Sequence, residues 1–329
     1  TVFDKKEHFG GTVRNVIPSF RIDNEAIAKD VEIAKAYGAK FVNNRNIENI
    51  ESLKEEGFDT IVLAIGAHKG MSIGVDTEKE LNAVDFLEAA KEDPKAQNLG
   101  RHVVVIGAGN TAMDAARMAG RIEGVEDVTV VYRRTKRYMP ADEEELQLAI
   151  EDGVEFLELL APVGAENGKL KCSVMELGAP DASGRRSPVD TGKTEEYPAD
   201  TIIAAIGETI DTSLYAELGI EMDAKGRPVV DGNMMTTEAG VYAVGDSRRG
   251  PATVVEAIAD SAKAAAAIAG ISYDKYAEEN IAADEKMYTA KKGVQSRDTK
   301  KTPDDRCLGC PTVCEVCTDV CPNRANVAI

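Results

Sequence analysis

The feature that most constrains the fold is an apolar strand that enters a glycine turn and leaves it as a helix. It is the segment HVVVIGAGNTAMDAARMA, residues 102–119. In the pattern Gly-x-Gly-x-x-Gly/Ala, the first glycine permits the tight turn, the second lets the backbone approach a pyrophosphate, and the third small residue lets the helix pack on the strand. Gly107, Gly109 and Ala112 occupy these positions. The N–H groups that open the helix would hold the phosphates, so the segment predicts a dinucleotide site; an ordinary turn is the alternative.

The next strand, Val128–Tyr132, ends in the basic sequence RRTKR, residues 133–137. An NAD site usually has Asp or Glu at this strand end to bind the ribose hydroxyls, whereas arginine accommodates a 2′-phosphate. A guanidinium group can hydrogen-bond that dianion with two N–H groups at once. Arg133 and Arg134 therefore predict NADPH, and a solvated basic patch is the alternative interpretation.

Short apolar runs alternate with helical stretches over residues 1–270, which predicts an α/β fold with parallel sheets covered on both faces. Residues 271–306 have few apolar positions and the composition of a linker. Besides the two strands already named, the predicted strands lie at Lys40–Val42, Thr60–Ile65, Thr201–Ile206 and Gly240–Val244.

Fragments of a second nucleotide site occur in this region. Asp4 ends the first apolar run, where an acid can bind a nucleotide ribose, and Gly10 and Gly11 follow it closely. Two later strands end in glycine, at Gly66 and Gly207, where backbone can lie against a cofactor. Each fragment alone is more often structural, so their order along the chain is the informative part.

The last fragment of this second site is the pair Gly245-Asp246, which precedes a predicted helix within Pro251–Ile258. An aspartate at a strand end can hydrogen-bond a sugar-like chain. The start of a helix can stabilise negative charge on a reduced flavin. This pair therefore extends the predicted cofactor site to the C-terminal end of the α/β region.

Five of the six cysteines lie close together near the C-terminal end of the sequence. Such a cluster favours a metal site over a disulfide framework. Soft thiolates suit an iron–sulfur cluster, and the final Cys-Pro is typical of bacterial ferredoxins; structural zinc is the alternative. The other cysteine, Cys172, is expected to be a buried apolar residue. The predicted ligands are Cys307, Cys310, Cys314, Cys317 and Cys321. The spacing leaves open which four of them bind a [4Fe-4S] cluster.

The charge of the chain limits its partners. With 57 acidic and 39 basic residues, its net charge of -18 opposes binding to nucleic acid or to an anionic membrane. No apolar run approaches the ~20 residues that a membrane-spanning helix needs. The N-terminal sequence TVFDKKE has no signal-peptide layout, so the expected location is the cytoplasm.

The order of these motifs resembles that of the two-dinucleotide-binding flavoproteins, above all the NADPH-oxidising small subunit of glutamate synthase and the flavin domain of dihydropyrimidine dehydrogenase. The sequence VVYRRT at 130–135 and the pair Met139-Pro140 are similar to this group. One bacterial type in it, described as a selenate reductase subunit, also continues into a C-terminal cysteine cluster. The resemblance implies FAD contacts from Asp4, Gly11, Gly245, Asp246, Ala252 and Thr253, and NADPH contacts from Gly109, Asn110, Thr111, Arg133 and Arg134.

The sequence also differs from the family that it resembles. There, a first strand and a Gly-x-Gly-x-x-Gly helix bind the FAD pyrophosphate before the strand that ends at Asp4. This sequence begins after that point, so the chain is expected to be a piece of a longer polypeptide or to use another segment to complete the flavin site. Thioredoxin reductases share the architecture but carry Cys-x-x-Cys in the NADPH domain, and its absence here counts against disulfide reduction.

The prediction is therefore two interleaved Rossmann-like domains of the disulfide-oxidoreductase type, followed by a small ferredoxin-like module. Electrons would pass from NADPH through FAD to a [4Fe-4S] cluster and on to a redox partner subunit or domain. No catalytic residue is assigned, because the cofactors carry the hydride chemistry. A non-catalytic NADPH-binding or docking fragment of a larger redox complex is the alternative. The predicted domains are 1–97 with 236–270 (partial FAD domain), 98–235 (inserted NADPH domain), 271–306 (linker) and 307–329 (iron–sulfur module).

Overall fold

A computed structural model of the chain describes residues 1–75, 77, 79–180 and 186–273. The chain divides into two units, Thr1–Asp260 and Ser261–Ile329. All the described strands lie in the first unit. The predicted cysteine module, and the predicted linker from residue 274 onward, lie outside the described residues.

The secondary structure alternates between strands and helices along most of the first unit. The strands are β1 (Val2–Phe3), β2 (Phe41–Val42), β3 (Ile61–Leu63), β4 (Lys69–Gly70), β5 (Glu80–Asn82), β6 (His102–Ile106), β7 (Asp127–Tyr132), β8 (Glu155–Glu158), β9 (Leu160–Glu166), β10 (Lys169–Pro180), β11 (Arg186–Pro198), β12 (Thr201–Ala204), β13 (Glu208–Thr209) and β14 (Val241–Ala243). The α-helices are α1 (Gly11–Asn15), α2 (Asn24–Ala36), α3 (Ile50–Glu55), α4 (Ala83–Glu92), α5 (Asn110–Ala119), α6 (Glu143–Glu151), α7 (Ser213–Glu217), α8 (Asp246–Arg249) and α9 (Val254–Ile268).

The largest sheet is parallel throughout and has the order β5-β12-β6-β7-β8. Because side chains alternate along a strand, β6 buries its residues on two different faces. Val103 and Val105 join the core formed with α4 and α5, whereas Val104 and Ile106 join a separate core. The prediction of a parallel sheet covered on both faces is confirmed at this strand.

The second face of that sheet is covered by an antiparallel sheet of order β11-β10-β9. The sequence did not predict these three strands, because charged residues interrupt their apolar positions and β11 is exposed along nearly its whole length. Cys172 lies in this layer with no exposed surface, as expected for a buried apolar residue. Burial, together with the negative charge of Glu195, raises the pKa of the Cys172 thiol to about 12, so it stays protonated.

Three smaller sheets complete the first unit. Strands β1 and β2 are parallel, β3 and β14 are parallel, and β4 and β13 form an antiparallel ribbon. Strands β3 and β14 share a core with helix α3 and the buried side chain of Tyr215. The ribbon lies where the chain passes from β3 to β5 and again where it returns from β12 to β14.

The domain boundary predicted at residue 98 stays a prediction. Strand β5 and helix α4 precede it, yet β5 pairs with β12 and α4 packs in the core of the largest sheet. None of the helices within the described ranges is both long and apolar enough to cross a membrane.

An ionic network around the buried Asp114 joins the segment before α2 to helices α5 and α6. The Arg21 guanidinium lies 2.9 Å from Asp114 Oδ2 and 2.8 Å from Glu145 Oε1. Asp114 is 5% exposed, and its other carboxylate oxygen has no hydrogen-bond partner among the described residues. Burial raises the pKa of Asp114 to about 6, although the Arg21 charge opposes this.

This raised pKa predicts a pH dependence of stability. Asp114 ordinarily has a pKa of 3.8, so between about pH 4 and about pH 6 the folded state binds a proton that the unfolded state has lost. Stability therefore falls as pH rises through this window, by up to about 1.4 kcal/mol per pH unit. Urea unfolding of wild type and Asp114→Asn across the window should show this slope in the difference between the two proteins. Parallel stability curves would contradict it.

Candidate dinucleotide sites

The glycine turn after β6 is formed by close backbone packing. Gly107 has a φ of +145°, and a Cβ atom built on it would lie 2.1 Å from the carbonyl oxygen of Ala205. Its N–H donates to the carbonyl of Val131 at 3.2 Å. Only glycine fits here, because a side chain would collide with the backbone that follows β12.

The second glycine of the turn borders open space. Gly109 precedes the first residue of α5 with a φ of −92°, and no atom lies within 4 Å of an added Cβ. No side chain caps this helix, so its first N–H groups are available to an anion. Ala112 has no exposed surface where helix packs on strand. The geometry fits a dinucleotide pyrophosphate.

Asn110 and Thr111 bind carboxylates that the sequence did not single out. The Asn110 amide donates to Asp142 Oδ2 at 2.8 Å, and the Asp142 N–H donates to Asn110 Oδ1 at 2.9 Å. The Thr111 hydroxyl makes a hydrogen bond with Glu208. The start of α5 is thereby tied to the start of α6 and to β13.

The predicted arginine pair divides into two environments. Arg134 is 8% exposed, and its Nε donates to the carbonyl of Arg186 at 3.0 Å, which ties the end of β7 to β11. Arg133 is exposed. Of the two, Arg133 is thus the side chain that the structure leaves accessible to a phosphate.

The N-terminal residues of the second predicted site lie on tight turns. Asp4 follows β1, and its Oδ1 accepts a hydrogen bond from the Lys6 N–H at 2.9 Å. Gly10 has a φ of +120°, and an added Cβ would lie 2.8 Å from Arg14 Cβ. Gly11 begins α1, and nothing lies within 4 Å of an added Cβ there.

The two glycines that end strands lie beside the β4–β13 ribbon. Gly66 has a φ of +74°, and an added Cβ would lie 2.7 Å from Nε2 of His68. Gly207 directly precedes β13, and its carbonyl accepts a hydrogen bond from the Met71 N–H at 3.1 Å. Gly66 and Gly207, which are distant in sequence, therefore lie next to the same ribbon.

Glu208 hydrogen-bonds Thr111 at the start of α5, and its pKa is affected by the charge of Asp246. Burial raises the pKa of Glu208, and the negative charge of Asp246 raises it further, whereas its Thr111 bond opposes this. Burial also raises the pKa of Asp246, against a hydrogen bond from the Ala252 N–H and the charge of His68. Glu208 carries no motif of its own, so only the fold reveals it.

Thr253 opens helix α9 with a reciprocal pair of hydrogen bonds to Glu256. The Thr253 N–H donates to Glu256 Oε2 at 3.1 Å, and the Glu256 N–H donates back to Thr253 Oγ1 at 3.3 Å. This is a capping box, which the sequence Thr-x-x-Glu could have predicted. Ala252 and Thr253 are therefore held at the helix start by the chain itself.

Residues 5–261 match the sequence profile of the pyridine nucleotide-disulphide oxidoreductases. The chain belongs to this family. The family has the α/β fold that the sequence predicted, and the prediction of an oxidoreductase is confirmed.

Relatives of this chain within the family support the predicted resemblance. The small chain of glutamate synthase [NADPH] from Escherichia coli is 33% identical over 291 residues, covering 80% of this chain and 61% of that protein. YgfK of Escherichia coli is 40% identical over 349 residues, covering 100% of this chain and 33% of YgfK. The resemblance to the glutamate synthase small subunit is thus confirmed, and the chain spans less than two thirds of each of these relatives.

The fold is also found in a solved structure, that of Mycobacterium tuberculosis FprA in complex with NADPH. It superposes with a TM-score of 0.67 at 19% identity and covers 85% of this chain and 78% of FprA. The likeness is one of fold, and it agrees with the family assignment.

The same substitution should have a large effect on stability at one glycine of the turn after β6 and a small effect at the other. Gly107→Ala should lower stability by about 3 kcal/mol or more, because it combines a strained φ with a backbone collision. Gly109→Ala should change stability by less than about 1 kcal/mol, because its φ suits any residue and the space is open. Thermal unfolding of both variants measures the difference. Equal stability of the two would show that the turn does not pack against Ala205 as described.

Proposed function

We propose that the protein is an NADPH-dependent flavin oxidoreductase that passes electrons from NADPH through FAD to a [4Fe-4S] cluster and on to a partner. The observation that carries the proposal is the glycine turn after β6, where Gly107 packs against the Ala205 carbonyl and the uncapped start of α5 borders open space at Gly109. Thr111 in the first turn of α5 also hydrogen-bonds Glu208, whose pKa is raised by burial and by the charge of Asp246.

The proposed chemistry belongs to the cofactors: NADPH supplies a hydride, and FAD accepts it and releases electrons singly. The chain binds and orients them. The backbone at Gly107, Gly109, Asn110 and Thr111 would hold the NADPH pyrophosphate on the start of α5. Arg133 would bind the 2′-phosphate, which suits a guanidinium group, while Arg134, bonded to the Arg186 carbonyl of β11, holds the end of β7 beside it.

The FAD residues proposed here are those that the resemblance implied. Asp246 would bind the sugar chain of the flavin, and the capped start of α9 at Ala252 and Thr253 would face its negative charge. Asp4 would bind the adenosine ribose. The remaining proposed contacts are backbone positions at Gly10, Gly11, Gly66, Gly207 and Gly245.

The iron–sulfur part of the proposal rests on the cysteine spacing. Acid-labile sulfide together with iron, at about four of each per chain as a [4Fe-4S] cluster requires, is the expected result of metal analysis. Zinc without sulfide would contradict it and would leave a structural site. Cys172 is the matched control, because Cys172→Ala should leave the iron content unchanged.

The partner and the location are part of the same proposal. The glutamate synthase relative is the small chain of its enzyme, which supports a redox partner subunit or domain for this protein. A cytoplasmic location agrees with the sequence expectation. The proposed domains keep the boundaries of the sequence prediction, although β5 and α4 of the 1–97 segment pack with the sheet of the proposed NADPH domain.

The oxidoreductase proposal predicts that NADPH added without oxygen bleaches the flavin absorbance. Arg133→Ala should need about 10-fold more NADPH for half the bleaching, about 1.4 kcal/mol of lost binding, while its response to NADH changes by less than about twofold. Titration with both nucleotides measures this. The control is Arg227→Ala, which removes an arginine of a surface ion pair with Asp223.

The alternative makes different predictions for the same titration. A non-catalytic NADPH-binding or docking fragment would bind NADPH without bleaching, or would gain no flavin when FAD is supplied. Equal effects of Arg133→Ala on NADPH and NADH would remove the assignment of the 2′-phosphate to this residue.

A further inference from the structure

The turn that carries Asp246 has little stability of its own. It contains α8, a helix of only four residues, between Gly245 at φ 63° and Gly250 at φ 85°. So short a helix is not stable in isolation. Its position must therefore come from contacts with the rest of the fold.

Those contacts converge on one buried carboxylate, that of Asp260 in α9. Asp260 is 1% exposed. Its Oδ2 accepts hydrogen bonds from the Gly245 N–H at 3.3 Å and from Arg249 Nε at 3.1 Å, and lies 3.4 Å from Nη1 of Arg248. Its Oδ1 accepts a hydrogen bond from Arg249 Nη2 at 2.6 Å. Asp260 thus binds the residue before α8 and the two residues that end it.

The carboxylate is ionised despite its burial. Burial alone would raise the pKa of Asp260, but the Arg249 hydrogen bonds, the Arg248 and Arg249 charges and the Gly245 N–H outweigh it, and the pKa is lowered. Removing the Asp260 charge would be destabilising, because it would leave Arg248 and Arg249 without the carboxylate that they share. Nothing about its local sequence marks Asp260 as different from other helical acids.

The same network reaches the start of α9. Arg249 also pairs with Glu256 at 2.6 Å, and the Glu256 carboxylate closes the capping box by accepting from the Thr253 N–H. On the other side of the turn, the Asp246 carboxylate accepts a hydrogen bond from the Ala252 N–H. Asp246 and the start of α9 at Thr253, both proposed to face the flavin, are therefore placed relative to each other through Arg249 and Asp260.

We propose that Asp260 is a positioning residue for the flavin site. It does not touch the cofactor; it holds the Gly245–Gly250 turn so that Asp246 faces the polyol chain of a flavin dinucleotide while Thr253 stays at the helix start. The inference rests on the proposed function. It adds that the affinity for FAD depends on the buried charge of Asp260, one helical turn after Glu256.

The test compares FAD and NADPH affinity in the purified protein. Asp260→Asn keeps the shape and removes the charge, so the Kd for FAD should rise about 10-fold, a loss of about 1.4 kcal/mol, while the Kd for NADPH changes by less than about twofold. Flavin fluorescence and calorimetry measure the two constants. At saturating FAD, the visible circular dichroism of the flavin should also change. Asp223→Asn, which breaks the exposed pair with Arg227, should alter none of these.

The outcomes separate this inference from the function beneath it. Wild type that binds no FAD overturns both, whereas wild-type FAD affinity in Asp260→Asn overturns the positioning role alone. Equal weakening of FAD and NADPH would show a general structural role and also overturns it. If Asp260→Asn does not fold, Arg249→Lys, which keeps the charge but loses the two-point bond, should give the same selective loss of FAD affinity at smaller size.

Discussion

The chain passes between its sheets twice, once between β3 and β5 and once between β12 and β14. These two connecting passages are hydrogen-bonded to each other in the β4–β13 ribbon. This pairing constrains everything around it. Gly66 and Gly207 are distant in sequence, yet each lies at one end of a passage, and Met71 bonds directly to the Gly207 carbonyl. Because β13 begins at Glu208, the same ribbon delivers that carboxylate to the region between Thr111 and Asp246.

Buried carboxylates carry much of the organisation around these sites. Asp114 and Asp260 are both almost fully buried and both face arginines, but their pKa values move in opposite directions. Asp114 keeps one oxygen without a partner, and burial dominates. Both oxygens of Asp260 accept bonds, and the charge is stabilised. Burial alone therefore does not set the charge of an acid; the number of donors around it does.

Whether a part of the structure could be predicted depends on how far apart in the sequence its contacting residues lie. Strand β6, its glycine turn and helix α5 were predictable because their pattern is local and is governed by backbone sterics. The roles of Asp142, Glu208 and Asp260 were not, because each depends on contacts with residues distant in sequence or on burial that no local pattern encodes. Arg134 shows the same limit, since its sequence context resembles that of Arg133 while only the fold bonds it to Arg186.

The two candidate sites consequently differ in what holds them. The glycine turn after β6 is shaped by close backbone packing that excludes every side chain at Gly107, and this steric constraint does not depend on charge. The Asp246 turn depends on ionised side chains, two of which belong to α8 itself. Ionic contacts weaken with protonation and partial exposure, whereas steric exclusion does not. The proposed flavin turn at Asp246 should therefore be more sensitive to acid than the backbone packing at Gly107.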